Sequence, residues 1–235
     1  MSRLLVHVEG QTEESFVYEI LAPHLYAVGY HAVGARIVGN ARLRARRGGI
    51  RPWHGVKAEI LRHLSQDTGC IATTMVDYYA LPDSWPGRTG AGALPFLQRG
   101  PHVQAALLED LAAASASSNR FEPFVLMHEF EALLFSDCVG FATGIGHPGK
   151  ATDFQAVRNL FSSPEEINDS PLSAPSKRVE DIIPGYQKPL LGNLAAIEIG
   201  LARIRQECPH FDDWIGRLEL RVPPVAPDSA DVTQP

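Results

Sequence analysis

Glu9, Asp77, Glu129 and Glu131 are the residues whose types and positions could do chemistry together. Each follows a short apolar run that reads as a strand: Arg3–Val8 before Glu9, Cys70–Val76 before Asp77, and Pro123–Met127 before His128-Glu129-Phe130-Glu131. In a parallel α/β sheet the C-terminal ends of the strands share one edge, and ligands bind there. Carboxylates gathered on that edge repel by about 1–4 kcal/mol per pair, depending on the effective dielectric. A divalent cation removes this cost, and oxygen-only donors favour Mg²⁺ or Mn²⁺ over zinc. The competing role for each acid is to sit at the positive end of the helix that follows it. The coincidence at three strand ends favours a metal site.

Groups that could meet a phosphate are also present. Ser173-Ala174-Pro175-Ser176-Lys177-Arg178 places a hydroxyl, an ammonium and a guanidinium at the expected start of a helix, where backbone amides add their own attraction for an anion. The plainer reading is an ordinary helix with Ser176 as its cap. The formal net charge is −6, yet residues 36–51 carry six arginines and no acid, which leaves −12 on the remainder. An acidic protein with one arginine-dense loop suggests a local polyanion contact through Arg42, Arg44, Arg46, Arg47 and Arg51, the alternative being a merely solvated loop. His7 alternates with Glu9 along the first strand, where a histidine is ordinarily a satisfied core residue; His128, at a strand end, is the better acid–base candidate.

The elements that must hold these residues alternate. The strand to Val8 leads into a helix through Phe16, Val17, Ile20, Leu21 and Leu25, with Thr12 as cap and Pro23 expected to kink or end it. Ala32–Val38 reads as a strand, Val56–Leu64 as a helix, residues 80–101 as a long irregular excursion, and His102–Ala114 as a helix. A helix begins at His128. Beyond it the chain is broken by Gly and Pro, with one helix near Asp153–Phe161, then terminal helices at Leu191–Glu207 and Phe211–Leu218. This order predicts an α/β fold with a mostly parallel, Rossmann-like central sheet flanked by helices. The expected division is a core over 1–140, a helical elaboration packed on it over 141–221, and a proline-rich disordered tail over 222–235.

Composition and motifs exclude much else. No run of about 18 apolar residues exists, the N-terminus does not read as a signal peptide, and three scattered cysteines suit a reducing cytoplasm better than a disulfide framework. Gly144 to Ala151 approaches a phosphate-binding loop, but position 151 is alanine where a hydroxyl is needed, and Pro148 removes an amide. His128-Glu129 does not open a zinc-protease motif, because position 132 is alanine, and no Gly-x-Ser-x-Gly elbow occurs.

Val8-Glu9-Gly10-x-Thr12-Glu13, Val76-Asp77-Tyr78-Tyr79-x-Leu81-Pro82, the run from His128 to Phe135, and Ala174-Pro175-Ser176-Lys177-Arg178 together resemble a family of Toprim-like bacterial proteins of unknown function. These proteins are typically encoded beside an AAA-type ATPase and linked to phage defence, and related overcoming-lysogenization-defect Toprim proteins are nucleases. The resemblance implies a Toprim-like sheet and an Mg²⁺- or Mn²⁺-dependent nuclease acting on RNA or DNA. It further implies an ATPase partner, with no membrane association and room for a homo-oligomer. Glu9 matches the Toprim glutamate and Asp77 the first acid of the Asp-x-Asp pair; Tyr79 stands where the second acid belongs. Glu129 or Glu131 could supply the lost ligand, and Glu131 is preferred, since side chains two apart on a helix diverge. Lys177 and Arg178 would clamp a phosphate. The rival reading is a catalytically inactive binding module or adaptor on the ATPase; a DNA-joining or relaxing enzyme ranks lower, because no tyrosine-bearing partner domain is evident.

Overall fold

The computed structural model describes residues 2–38, 50–167, 170 and 172–222. At its centre is a parallel sheet of strands β1 (Arg3–Val8), β2 (Ala32–Ile37), β3 (Cys70–Asp77), β4 (Phe121–Glu122) and β5 (Val125–Leu126). The order is β2-β1-β3-β4, and β5 also pairs with β3. The register sets Val8 opposite Ile37 on one side and Met75 on the other, while Asp77 faces Leu126. All pairings are parallel, so every strand delivers its C-terminus to the same edge. Helices flank this α/β, Rossmann-like sheet.

β3 is buried along its whole length and carries Thr73 and Thr74 in its middle. Those hydroxyls repair a defect in the neighbouring strand. The strand expected over Pro123–Met127 is reduced to β5, and a further short strand, β4, precedes it; Pro123, with no N–H for the ladder, lies between the two. Thr74 Oγ1 donates to the Phe124 carbonyl at 2.8 Å and accepts from the Phe124 amide at 2.9 Å, while Thr73 Oγ1 donates to the Glu122 carbonyl.

Three sequence expectations are corrected. Gly10, not Thr12, is the N-cap of the first helix, and Thr12 lies buried inside the first turn. Pro23 neither ends nor breaks that helix. It runs from Gln11–Phe16 through a π-helical segment, Val17–Leu21, into Ala22–Val28, and Pro23 is accommodated just after the wide π-helical turn. The helix read as His102–Ala114 begins six residues earlier, as Phe96–Ala112, because Pro95 serves as its N-cap and Pro101 is carried inside. Burial of Val103, Leu107 and Leu111 outweighs the internal proline, and the irregular stretch shrinks accordingly.

The two sheet faces carry separate apolar clusters. One collects Val56 and Ile60 of the helix Trp53–Gln66 with Ala72, Val76, Leu107 and Phe121. The other joins Leu4, Val6, Val8, Phe16 and Met75 to residues far along the chain, including Phe141, Phe154, Val179, Ala195 and Trp214. Residues beyond 140 therefore share a core with the first strand. Trp214, from the helix Pro209–Glu219, stacks on Phe124 at 4.3 Å between ring centroids and donates from Nε1 to Thr73 Oγ1 at 2.9 Å. All three cysteines are buried free thiols.

Gly144, the first residue of the rejected phosphate loop, has a packing role. It ends the helix Cys138–Gly144 where that helix crosses Asn193–Ile199, and a Cβ placed on it would stand 2.7 Å from Ala195 Cα and 2.9 Å from the Leu194 carbonyl. Both neighbours are backbone, so they yield only by moving a helix. Gly144→Ala is expected to lower stability by about 1–3 kcal/mol, read as a lower urea midpoint with an unchanged m-value.

Candidate functional site

The loop after β1 and the residue ending β3 bring Glu9 and Asp77 to the sheet's C-terminal edge. Beyond β5, the short helix Phe130–Leu134, with Glu129 as its N-cap, adds Glu129 and Glu131. Glu13 comes from the first turn after Gly10. Asp77, Glu13, Glu129 and Glu131 are buried, Glu131 most completely. The structure thus brings together the four acids selected from the sequence and adds Glu13, which the sequence marked only as the last residue of the Glu9 motif.

Their protonation records the crowding. Burial, then the Glu13 carboxylate, pushes Glu9 up to about 8. Burial also pushes Glu13 up to about 7, with Glu131 adding to the effect. Burial followed by Glu9, Glu13 and Glu129 raises Asp77 well above the ordinary aspartate range, and burial raises Glu131. Desolvation and like charge act in the same direction on all of them.

Some of this charge is met. Glu13 accepts the Gly10 amide at 2.9 Å, and Glu129 accepts the Ser176 amide at 2.9 Å. Lys188 Nζ lies 3.1 Å from Glu131 Oε2. Burial works against the Lys188 charge, but Glu131, Glu129 and Asp77 more than offset it and hold the ammonium protonated. Sequence reasoning missed Lys188: it stands in the Gly- and Pro-broken region, before Pro189, with no periodicity to aim it. Three oxygens are left buried without a hydrogen-bond partner: Glu9 Oε2, Asp77 Oδ1 and Glu131 Oε1.

This donor set suits a hard divalent cation by its chemistry, being all oxygen, anionic and partly unpartnered. In their present positions, no three His, Cys, Asp or Glu side chains among the described residues form a ready ligand group. Protons and the Lys188 ammonium offset part of the negative charge of these carboxylates.

The remaining candidates are placed differently. The amide at the start of the helix Pro175–Ile182 is taken by Glu129, so this anion-binding end already holds an anion. Lys177 is exposed and pairs with Glu180 at 2.6 Å. Arg178 donates to the Ser173 carbonyl at 2.9 Å and lies over the Phe161 ring. Arg51 and Arg36 grip the buried Glu59; burial opposes its charge, but the two guanidiniums hold it down to about 2. Arg42, Arg44, Arg46 and Arg47, and the tail from 223 onward, lie outside the described residues. Both histidines are packed inside the fold. His7 Nδ1 is 3.1 Å from the Thr73 carbonyl, and burial drives its pKa down to about 4; His128 Nδ1 is 2.8 Å from the Ile167 carbonyl. Tyr79 is partly exposed, its amide bonded to the His128 carbonyl at 3.1 Å.

The family described as domain of unknown function DUF4276 matches residues 8–219, most of the chain and every element of the site. The chain belongs to this family. No curated protein and no solved structure matches it. Among the described residues, no helix is long and apolar enough to cross a membrane.

The raised pKa values make stability depend on pH. Glu9 near 8 and Glu13 near 7 keep protons in the folded state that the unfolded chain has lost above about 4.5. Their contribution is complete below that pH and lost as pH rises through the folded values. His7 and His210, both held near 4, act only below about 6.5, while Glu165, lifted to about 7, adds to the same fall above it. Melting curves in EDTA should show Tm falling between pH 6.5 and 9, and Glu9→Gln should reduce that slope.

Proposed function

We propose that this chain is a metal-dependent phosphodiesterase acting on RNA or DNA. The observation that carries this reading is the set of three unpartnered buried carboxylate oxygens, on Glu9, Asp77 and Glu131, at the C-terminal edge of a parallel sheet. Glu9, Asp77 and Glu131 would hold Mg²⁺ or Mn²⁺, with Glu129 as an additional carboxylate beside them. The cation supplies Lewis-acid neutralisation of charge developing on a phosphate. Glu9 keeps its proton into the neutral range in the metal-free site and would give it up on joining the ligand set, so cation binding would release a proton. Lys177, exposed one residue beyond the Ser176 amide that meets Glu129, lies at the rim where a phosphodiester would approach. The 42–51 arginines would hold the strand through its phosphates. The resemblance noted in the sequence supports an effector role beside an AAA-type ATPase, in the cytoplasm.

A second reading has its own support. Tyr79 replaces an expected acid, and no three carboxylates stand as a ready ligand group among the described residues, which favours an inactive binding subunit of the ATPase complex.

One assay separates the two. Labelled tRNA, single-stranded RNA and plasmid, each incubated with Mg²⁺, Mn²⁺ or EDTA, should be cut only with metal, and Glu9→Ala and Asp77→Ala should each lower the rate by about 100-fold or more. Nucleic-acid binding that survives both substitutions, without cleavage under any metal, would establish the adaptor instead. Affinity should also fall steeply with salt. Replacing Arg44, Arg46 and Arg47 together should flatten the log–log slope by about 3 units; an unchanged slope would mean that this loop does not track the backbone.

A further inference from the structure

Lys188 combines three properties that a purely structural ion pair does not need. Its ammonium reaches Glu131, 1% exposed, while its own side chain remains 40% exposed, so the pair joins the interior to solvent. Its charge acts on Glu9, Glu13, Asp77 and Glu131 alike, opposing the raised pKa of each. It also engages only half of its partner: Glu131 gives Oε2 to Lys188, while Oε1 is buried with no partner. One carboxylate therefore faces a tethered cation on one oxygen and an unfilled demand for positive charge on the other.

The backbone under Lys188 is irregular and closely packed. Lys188 opens a π-helical segment, Lys188–Gly192, which leads into the helix Asn193–Ile199. Such wide turns are found disproportionately at functional sites. The segment is drawn against the first helix at Gly192, where a Cβ would come within 2.9 Å of Tyr186 Oη and 3.5 Å of Thr12 Cγ2. Tyr186 Oη and Asn193 Oδ1, on either side of the segment, are themselves buried without partners. The base of the lysine is thus fixed close to the acids, while its long, solvent-facing side chain can leave them.

We infer that Lys188 is a tethered counter-ion of the carboxylate pocket: it meets Glu131 when no divalent cation is bound and is released towards solvent when one enters. This rests on the metal-centre reading above, and it adds that the protein sets its own cation affinity through an internal competitor. Two positive charges cannot share Glu131 without repelling each other, so cation entry and the Lys188–Glu131 pair oppose each other. The released ammonium stays on the pocket's open side, where it would meet an anionic substrate only after the cation is in place.

The test needs no catalysis. Free Mn²⁺ measured by electron paramagnetic resonance gives the affinity of the wild type, Lys188→Met, Lys188→Arg and Asp77→Asn. Lys188→Met, which keeps the length and removes the charge, should bind about tenfold more tightly, whereas Lys188→Arg should stay near the wild type and Asp77→Asn should bind weakly or not at all. In the wild type, the side-chain ammonium resonances of the four lysines can be followed by ¹⁵N NMR as Mg²⁺ is added. Lys57 and Lys150 are paired with Asp110 and Asp153 and should not move; the Lys188 signal should shift and lose its protection from exchange. Wild-type Mn²⁺ binding with unchanged or weaker affinity in Lys188→Met, or a Lys188 signal indifferent to Mg²⁺, would overturn the counter-ion role while leaving the metal centre standing. Absence of Mn²⁺ binding in the wild type and Lys188→Met alike would overturn both.

Discussion

A carboxylate taken out of water has to be met by a proton, a cation or a hydrogen bond, and this fold takes five of them to one place. That requirement organises the C-terminal edge of the sheet. Parallel strands fix where Glu9 and Asp77 arrive, and the short helix after β5 brings Glu131 beside them. The helix Pro175–Ile182 presents the Ser176 amide to Glu129, and the π-helical turn at Lys188 supplies an ammonium. Each of these elements comes from a different part of the sequence, and each answers some of the same negative charge.

The same protein satisfies its other buried acids completely. Glu59 is held by Arg36 and Arg51 and remains ionised far into acid. Glu165 gives both oxygens to the amides of His210 and Phe211 at the start of the last helix, although burial still lifts it to about 7. Against those two, the open oxygens of Glu9, Asp77 and Glu131 are not explained by helix capping, the role that competes for acids at strand ends. Capping accounts for Glu13 and for one oxygen of Glu129, and it stops there. The residual demand for positive charge is what distinguishes this edge from an ordinary set of helix starts.

How much of this was legible in the sequence depends on distance along the chain. The strands to Val8 and Asp77 declared themselves through apolar, β-branched runs ending in an acid, and their parallel pairing followed from the intervening helices. Boundaries governed by proline were misread, because Pro95 sits at a helix start and Pro23 and Pro101 are carried inside helices, roles that their breaker reputation conceals. The cap at Gly10 was missed because Thr12 is the better capping residue in isolation; the carboxylate of Glu13 reaching back to the Gly10 amide decides the matter. Lys188 carried no local signal at all. Its importance comes from contact with Glu131, 57 residues away, and only tertiary structure creates that pair.

Tyr79 shows why the site cannot be judged from one strand. A second acid two residues after Asp77 would place another carboxylate at the end of β3, where Tyr79 now bonds through its amide to the His128 carbonyl. That bond continues the pairing between β3 and the chain leaving β5, which sets the path into Glu129 and Glu131. The neighbouring strand's extension carries two glutamates of its own. Glu129 brings negative charge to Asp77 from the chain that pairs with β3, and Glu131 is the more deeply buried of the two glutamates. A carboxylate at that depth calls for a proton or a paired ammonium, so Glu131 and Lys188, which lie far apart in the sequence, form one electrostatic arrangement.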